Sequence, residues 1–158
     1  MFNIVGGLRG RCILVVHIPL NNQTWNNAPV NDSSIKITVG VPARVLSPNT
    51  RCHWAVKAKA TKSARIESWA ATQIAMDGMK GNWIAAECQA YWYARDSRVR
   101  DRDNCLASLK ATFDGLKDGG LLKDDSGLIH LPLRLLVDSK NPRVELFLTK
   151  IEITEASK

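Results

Sequence analysis

The chain has few of the residues that usually announce a metal finger or a disulfide scaffold. It carries three histidines and four cysteines in 158 residues. The cysteines stand at 12, 52, 88 and 105, with no C-x-x-C pair and no histidines set as zinc partners. That spacing argues against a structural zinc site or a disulfide framework, and reduced, mostly buried thiols are expected. Apolar runs long enough to cross a bilayer are missing too. Cys12 to Leu20 is apolar after Arg9 and Arg11, but His17 and Pro19 interrupt it. No small-residue cleavage site follows, so a signal peptide is not expected. There is no internal repeat and no low-complexity segment. What is present in excess is positive charge: the net charge is +7 and the pI about 9.5. A polyanion, nucleic acid first, is the partner this favours. Hydrophobic content of 45% and charged content of 23% are those of an ordinary globular domain.

Residues 1–34 differ from the rest. Asn21-Asn22-Gln23, Asn26-Asn27 and Asn31-Asp32-Ser33-Ser34 are turn formers, and this part reads as an N-terminal extension. Residues 35–158 read as one domain. Ile35 to Val41 alternates strictly, as a strand does. Pro42 and Pro48 mark a loop that runs to Arg51. Trp54 to Met79 is an alanine-rich helical segment. Arg51, Lys57, Lys59, Lys62 and Arg65 precede its first acid, Glu67, and such a run can follow a phosphate backbone. Trp54 and Trp69 are expected in the core; the alternative is that they stack on exposed bases. Trp83 to Tyr93 reads as a second strand, with Ile84, Ala86, Cys88, Ala90 and Trp92 on its apolar face. Leu128 to Val137 and Val144 to Ile153 read as the last two. The expected fold is α/β, in the order β-α-β-α-β-β, with helices on a mixed four-stranded sheet.

The stretch richest in chemistry runs from Arg95 to Asp125. Leu106, Leu109, Phe113 and Leu116 fall on one apolar stripe and predict a helix. Asp103 or Asn104 is its expected N-cap, and Gly119-Gly120 its stop. Asp103, Lys110 and Asp114 project in nearly one direction along its flank. Asp101 and Asp103 are close in sequence, and two neighbouring carboxylates repel unless a cation intervenes. Arg98, Arg100 and Arg102 can supply that charge, and so can a hard divalent metal. An EF-hand is excluded, because Cys105 and Leu106 stand where an oxygen ligand and the turn glycine belong. From the residues alone, a cap and a solvated flank remain the other reading.

Asp101-Arg102-Asp103-Asn104, Lys110-Ala111-Thr112-Phe113-Asp114-Gly115-Leu116 and Asp124-Asp125 together resemble the signature of the RusA-type Holliday junction resolvases, small bacterial and phage endonucleases. Ser47-Pro48-Asn49 and Asp138 to Glu145 are similar to that family's first loop and terminal hairpin. The resemblance covers about residues 35–155. One departure is the gap from Asn104 to Lys110, about one helical turn longer than in some members. The resemblance implies a cytoplasmic homodimer in a bacterial or phage-infected cell. It implies a Mg2+-dependent endodeoxyribonuclease, with Mn2+ as a substitute, that cuts branched DNA at four-way junctions. Asp101, Asp103 and Asp125 would hold the metal, and Lys110 would offset charge at the phosphate. Arg51, Lys57, Lys59, Lys62, Arg65, Arg98, Arg100 and Arg102 would contact DNA. The rival reading is a structure-selective DNA-binding protein that does not cleave.

Overall fold

The computed structural model describes residues 33–152; Cys12, His17, Trp25 and the apolar run before Leu20 lie outside them, as does the polar tail from Glu155. The domain is mixed α/β. Its elements in chain order are β1 (Ser34–Gly40), α1 (Trp54–Met76), β2 (Ala86–Ala94), α2 (Arg102–Ser108), α3 (Lys110–Asp118), β3 (Leu128–His130), β4 (Arg134–Val137) and β5 (Arg143–Lys150). Short single turns occupy Arg44–Leu46 and Asp125–Gly127.

The sheet is mixed and has five strands in four lanes. β5 lies between β1 and β2 and is antiparallel to both. β3 and β4 both run parallel to β2 along its other side. The sequence reads 128–137 as one strand; Pro132 divides it. Proline has no N–H to give to a ladder. At the break, Leu131 N still donates to Cys88 O, and Gln89 Nε2 donates to Pro132 O at 2.8 Å. The expected terminal hairpin is also corrected. β4 and β5 do not pair with each other; they flank β2 on opposite sides, and Asp138 N is tied to Ala94 O at the end of β2.

Alternation does what it should on the buried face. Ile35, Ile37 and Val39 of β1, Val144, Leu146 and Leu148 of β5, and Ala86, Cys88, Ala90 and Trp92 of β2 join one core with Leu109, Phe113 and Leu116. Fully burying each leucine here contributes about 1.5–3 kcal/mol. Ile84, expected on that face, precedes β2 and is exposed. Of the described cysteines, Cys88 and Cys105 are buried and Cys52 is exposed. Burial pushes the Cys88 thiol up to about 12, which keeps it protonated and inert.

The single helix predicted between the cap at 103–104 and the stop at Gly119-Gly120 is two helices. Ser108 Oγ donates to Cys105 O at 2.6 Å, and Leu109 N–H bonds back to Leu106 O. A serine bonding to its own preceding turn bends a helix. The chain stays right-handed through Leu109, so the apolar stripe continues from α2 into α3. α1 lies across α3 through small residues. Ser68 and Thr72 are fully buried there, and Ser68 Oγ donates to Thr112 O at 2.7 Å. A methyl group added at Gly115 would sit 2.6 Å from Arg65 O and from Ser68 Cβ. The two tryptophans expected in the core, Trp54 and Trp69, are instead exposed.

Candidate active site

The acids gather on the flank of α2 and α3 that faces the sheet's outer lane. An open cleft of about 440 Å³ is lined there by Asp103, Lys110, Phe113, Asp114, Asp125 and His130, with Leu106, Ala107 and Leu128. Asp103 is in the first turn of α2, and Lys110 and Asp114 are on α3. They lie on one flank because seven and four residues bring a helical chain back to nearly the same direction.

Asp125 arrives from elsewhere in the chain. Trp83 N donates to Leu121 O, and Lys123 N donates to Trp83 O. Buried Trp83 thus anchors the segment before β2 to residues 121–123. Asp125 then opens the single turn Asp125–Gly127. That turn rests on the chain at Ile84, where a methyl group on Gly127 would lie 2.0 Å from the Ile84 carbonyl oxygen. The neighbouring acids are separated by this turn. Asp124 accepts from Lys117 Nζ at 2.8 Å and from Ser126 Oγ at 2.7 Å. Those bonds, Lys117 first, hold its carboxyl far below the usual range. Asp125 Oδ2 is 4.0 Å from Lys110 Nζ, and Asp114 Oδ1 is 3.9 Å from the same nitrogen. Lys110 is therefore the cation between the acids of α3 and of the 125–127 turn, and it remains largely exposed.

Asp101 has a different place. It, rather than Asp103 or Asn104, is the N-cap of α2. Its Oδ1 accepts from Asp103 N at 2.9 Å and from Asn104 N at 3.1 Å. Asp101 is not among the residues lining the cleft. Both capping bonds use Oδ1, so Oδ2 is not consumed by the cap.

The basic residues divide into two groups. Arg51, Lys57, Lys59, Lys62 and Arg102 are exposed, as is Arg98, whose Nε lies 3.7 Å from Asp96 Oδ2. Arg65 and Arg100 are committed within the fold. Arg65 pairs through two nitrogens with Asp118 of α3. Arg100 donates Nη2 to Asp96 Oδ1 and Nη1 to the carbonyls of Asp96 and Arg98. The Arg100 bond, with a further one from Arg98 N, lowers the Asp96 pKa.

The sequence reading passed over His130. It ends β3, packs its ring 4.5 Å from Phe113, and lines the cleft. Burial lowers the pKa of its imidazole, which favours the neutral form at neutral pH. The signal was its place five residues after Asp125, on the strand that Asp125 leads into.

The donor set is of hard oxygens. Magnesium is often held by one or two carboxylates with water and phosphate completing its shell. Asp103 and Asp125, facing one cleft, fit that pattern. Among the described residues no three His, Cys, Asp or Glu side chains are grouped as a ready metal cage.

No helix among the described residues is long and apolar enough to cross a membrane. No family model matches the chain. An uncharacterized protein of Xylella fastidiosa is 31% identical over 105 residues, which are 61% of this chain and 64% of that protein. The chain thus matches a little under two thirds of that relative's length. Among solved structures, the OmpA-like domain of FopA1 from Francisella tularensis aligns over 98% of both chains at 12% identity. Its TM-score of 0.32 is too low to carry any argument about fold or function.

Proposed function

We propose that this protein is a metal-dependent endodeoxyribonuclease that cuts branched DNA, the four-way junction in particular, as the RusA-type resemblance implies. The observation that carries the reading is the cleft itself: Asp103, Lys110 and Asp114 of the α2–α3 flank share it with Asp125 of the 125–127 turn, on a strongly basic protein. A surface meant for phosphates is a poor place for bare carboxylates, which repel the ligand. Asp103 and Asp125 would hold Mg2+ or Mn2+, which would supply a water of lowered pKa and a positive charge to set against the phosphate. Asp101 would join through Oδ2, and its cap fixes the first turn of α2 and with it Asp103. Lys110 Nζ, exposed at the rim, would pair with a non-bridging phosphate oxygen as negative charge builds there. Asp114 holds that ammonium in place. A homodimer would set two such clefts against the paired strands of a four-way junction.

The test is cleavage of a labelled synthetic four-way junction with Mg2+, comparing wild type with Asp103→Asn, Asp125→Asn and Lys110→Ala. Binding of the same junction in EDTA is the control. The expected result is symmetric cutting by wild type and binding without cutting by the aspartate variants. Lys110→Ala should lose about a hundredfold or more in rate. Tight binding with no cutting in either metal would leave only the non-cleaving DNA-binding protein.

A further inference from the structure

α1 is built unusually for a helix of a small domain. Every residue from Trp54 to Lys59 is exposed. The contact with α3 uses the small residues Ser68 and Thr72, and the larger Trp54, Ile66 and Trp69 of the same helix are left exposed. Trp54 is 76% exposed, Ile66 52% and Trp69 45%. At about 100° per residue, Trp54, Ala58, Lys62, Ile66 and Trp69 fall within one third of the helix circumference. They form one stripe about 22 Å long at 1.5 Å per residue. Its N-terminal end carries a second ring, His53, with its centroid 5.7 Å from that of Trp54. Lys57, Lys59 and Lys62 are exposed beside the stripe, and no acid occurs in the first turn.

We propose that this face of α1 is a platform for unpaired bases of a nucleic-acid strand, with Trp54 and Trp69 stacking on bases and the lysines following the phosphates. Aromatic side chains interleaved with cations are what non-specific single-strand recognition requires, since every base has a stacking face and every nucleotide a charge. The occupant is chosen by charge complementarity. A second copy of the chain would bring the same lysines against this face, and like charges would oppose each other. A nucleic-acid strand brings phosphates at about 3.4 Å per nucleotide, so the stripe would span roughly six stacked nucleotides. The surface also leads to the cleft. Arg65 ties α1 to Asp118, and Asp118 is one turn from Asp114, which meets Lys110. This inference rests on the nucleic-acid part of the proposed function and not on cleavage. It narrows the substrate class to DNA with unstacked or single-stranded segments, as at a branch point.

The experiment uses the full chain in EDTA, with fluorescein-labelled oligothymidylate and a blunt duplex as probes. Binding is read by anisotropy and by quenching of tryptophan fluorescence. Trp54→Ala and Trp69→Ala should each weaken oligothymidylate binding about tenfold, the order of one lost base stack, and change duplex binding far less. Trp54→Phe and Trp69→Phe should restore most of it. Trp54 is 76% exposed, so an unchanged thermal midpoint should accompany its loss; Trp69 is more than half covered, so Trp69→Phe serves as the stability-matched control for Trp69→Ala. Equal losses on both probes would overturn the stacking role. So would wild-type binding by both alanine variants, or a shift to a smaller sedimenting species, which would assign the face to a second copy. The two readings fail separately: tryptophan-dependent strand binding without cleavage sinks only the nuclease. Junction cleavage with unchanged strand binding in the variants sinks only the platform.

Discussion

Glu145 shows how one residue can be polar and still belong to the frame. It is 5% exposed in the middle of β5, on the face away from the helices. Lys36 Nζ is 3.1 Å from Oε2, and Arg143 Nε donates to Oε1 at 2.7 Å. Arg143 is held in turn by Asp138 and lies 3.9 Å over the Tyr93 ring. Burial pushes the Glu145 carboxyl up, but the bonds from Arg143 and Lys36 outweigh it, and its pKa falls below the ordinary 4.5. The sign follows. A carboxylate with a depressed folded pKa stabilises the fold fully above its unfolded pKa, and that contribution is lost as pH falls through the folded value. Glu145→Gln leaves two cations without their partner and should cost roughly 2 kcal/mol near neutral pH. Because glutamine does not titrate, the gap between the two proteins should close as pH falls below the ordinary 4.5 and through the depressed folded value. Thermal melts at several pH values read this directly. A gap that stays constant with pH would mean that the charge of Glu145 is not what stabilises β5.

At the scale of elements, α1 crosses α3, the helix that carries Lys110 and Asp114. That crossing is close because Gly115 and Gly119 have no side chains to hold it off. Gly115→Ala would press a methyl group on Arg65 O and Ser68 Cβ, and overpacking of this kind costs about 1–3 kcal/mol. The midpoint in urea should fall accordingly, with the slope of the transition unchanged; a neutral result would show that α1 can slide. The same crossing explains what the sequence could and could not disclose. Strict alternation made β1 legible, and the stripe Leu106, Leu109, Phe113, Leu116 made the buried face of α2 and α3 legible. The kink at Leu109 was not, because it arises from a single serine hydroxyl turning back on its own helix. Pro132 was visible, yet alternation alone cannot show that one lane becomes two strands. Trp54 and Trp69 were misplaced because apolar character does not dictate burial. The helix buries its small residues, since only they permit the close approach. In the candidate site, the acids were legible as motifs, but their separate tasks were not. That Asp101 caps depends on two backbone N–H groups of α2, and that Asp124 pairs with Lys117 while Asp125 faces Lys110 depends on how the chain turns at 124–127.

For the molecule as a whole, the +7 charge matters only where cations are free to meet phosphates. The structure separates free from committed. Lys57, Lys59 and Lys62 are exposed on α1, whereas Arg65 and Arg100 already answer Asp118 and Asp96. Binding to a polyanion releases condensed counterions, so log K falls with log salt at about 0.7 per phosphate neutralised on single strands and about 0.9 on duplex. Replacing the three lysines together by glutamine should lower that slope by roughly 2 to 3. Arg65→Gln and Arg100→Gln should each change it by well under one, since each removes a charge that is already balanced inside the protein. Anisotropy titrations of junction DNA in EDTA over a range of salt concentrations measure the slope without cleavage. If the lysine variant kept the wild-type slope while Arg100→Gln lost it, the DNA path would have to leave α1 and run along the loop at 95–102. The base-stacking platform would then be misplaced as well.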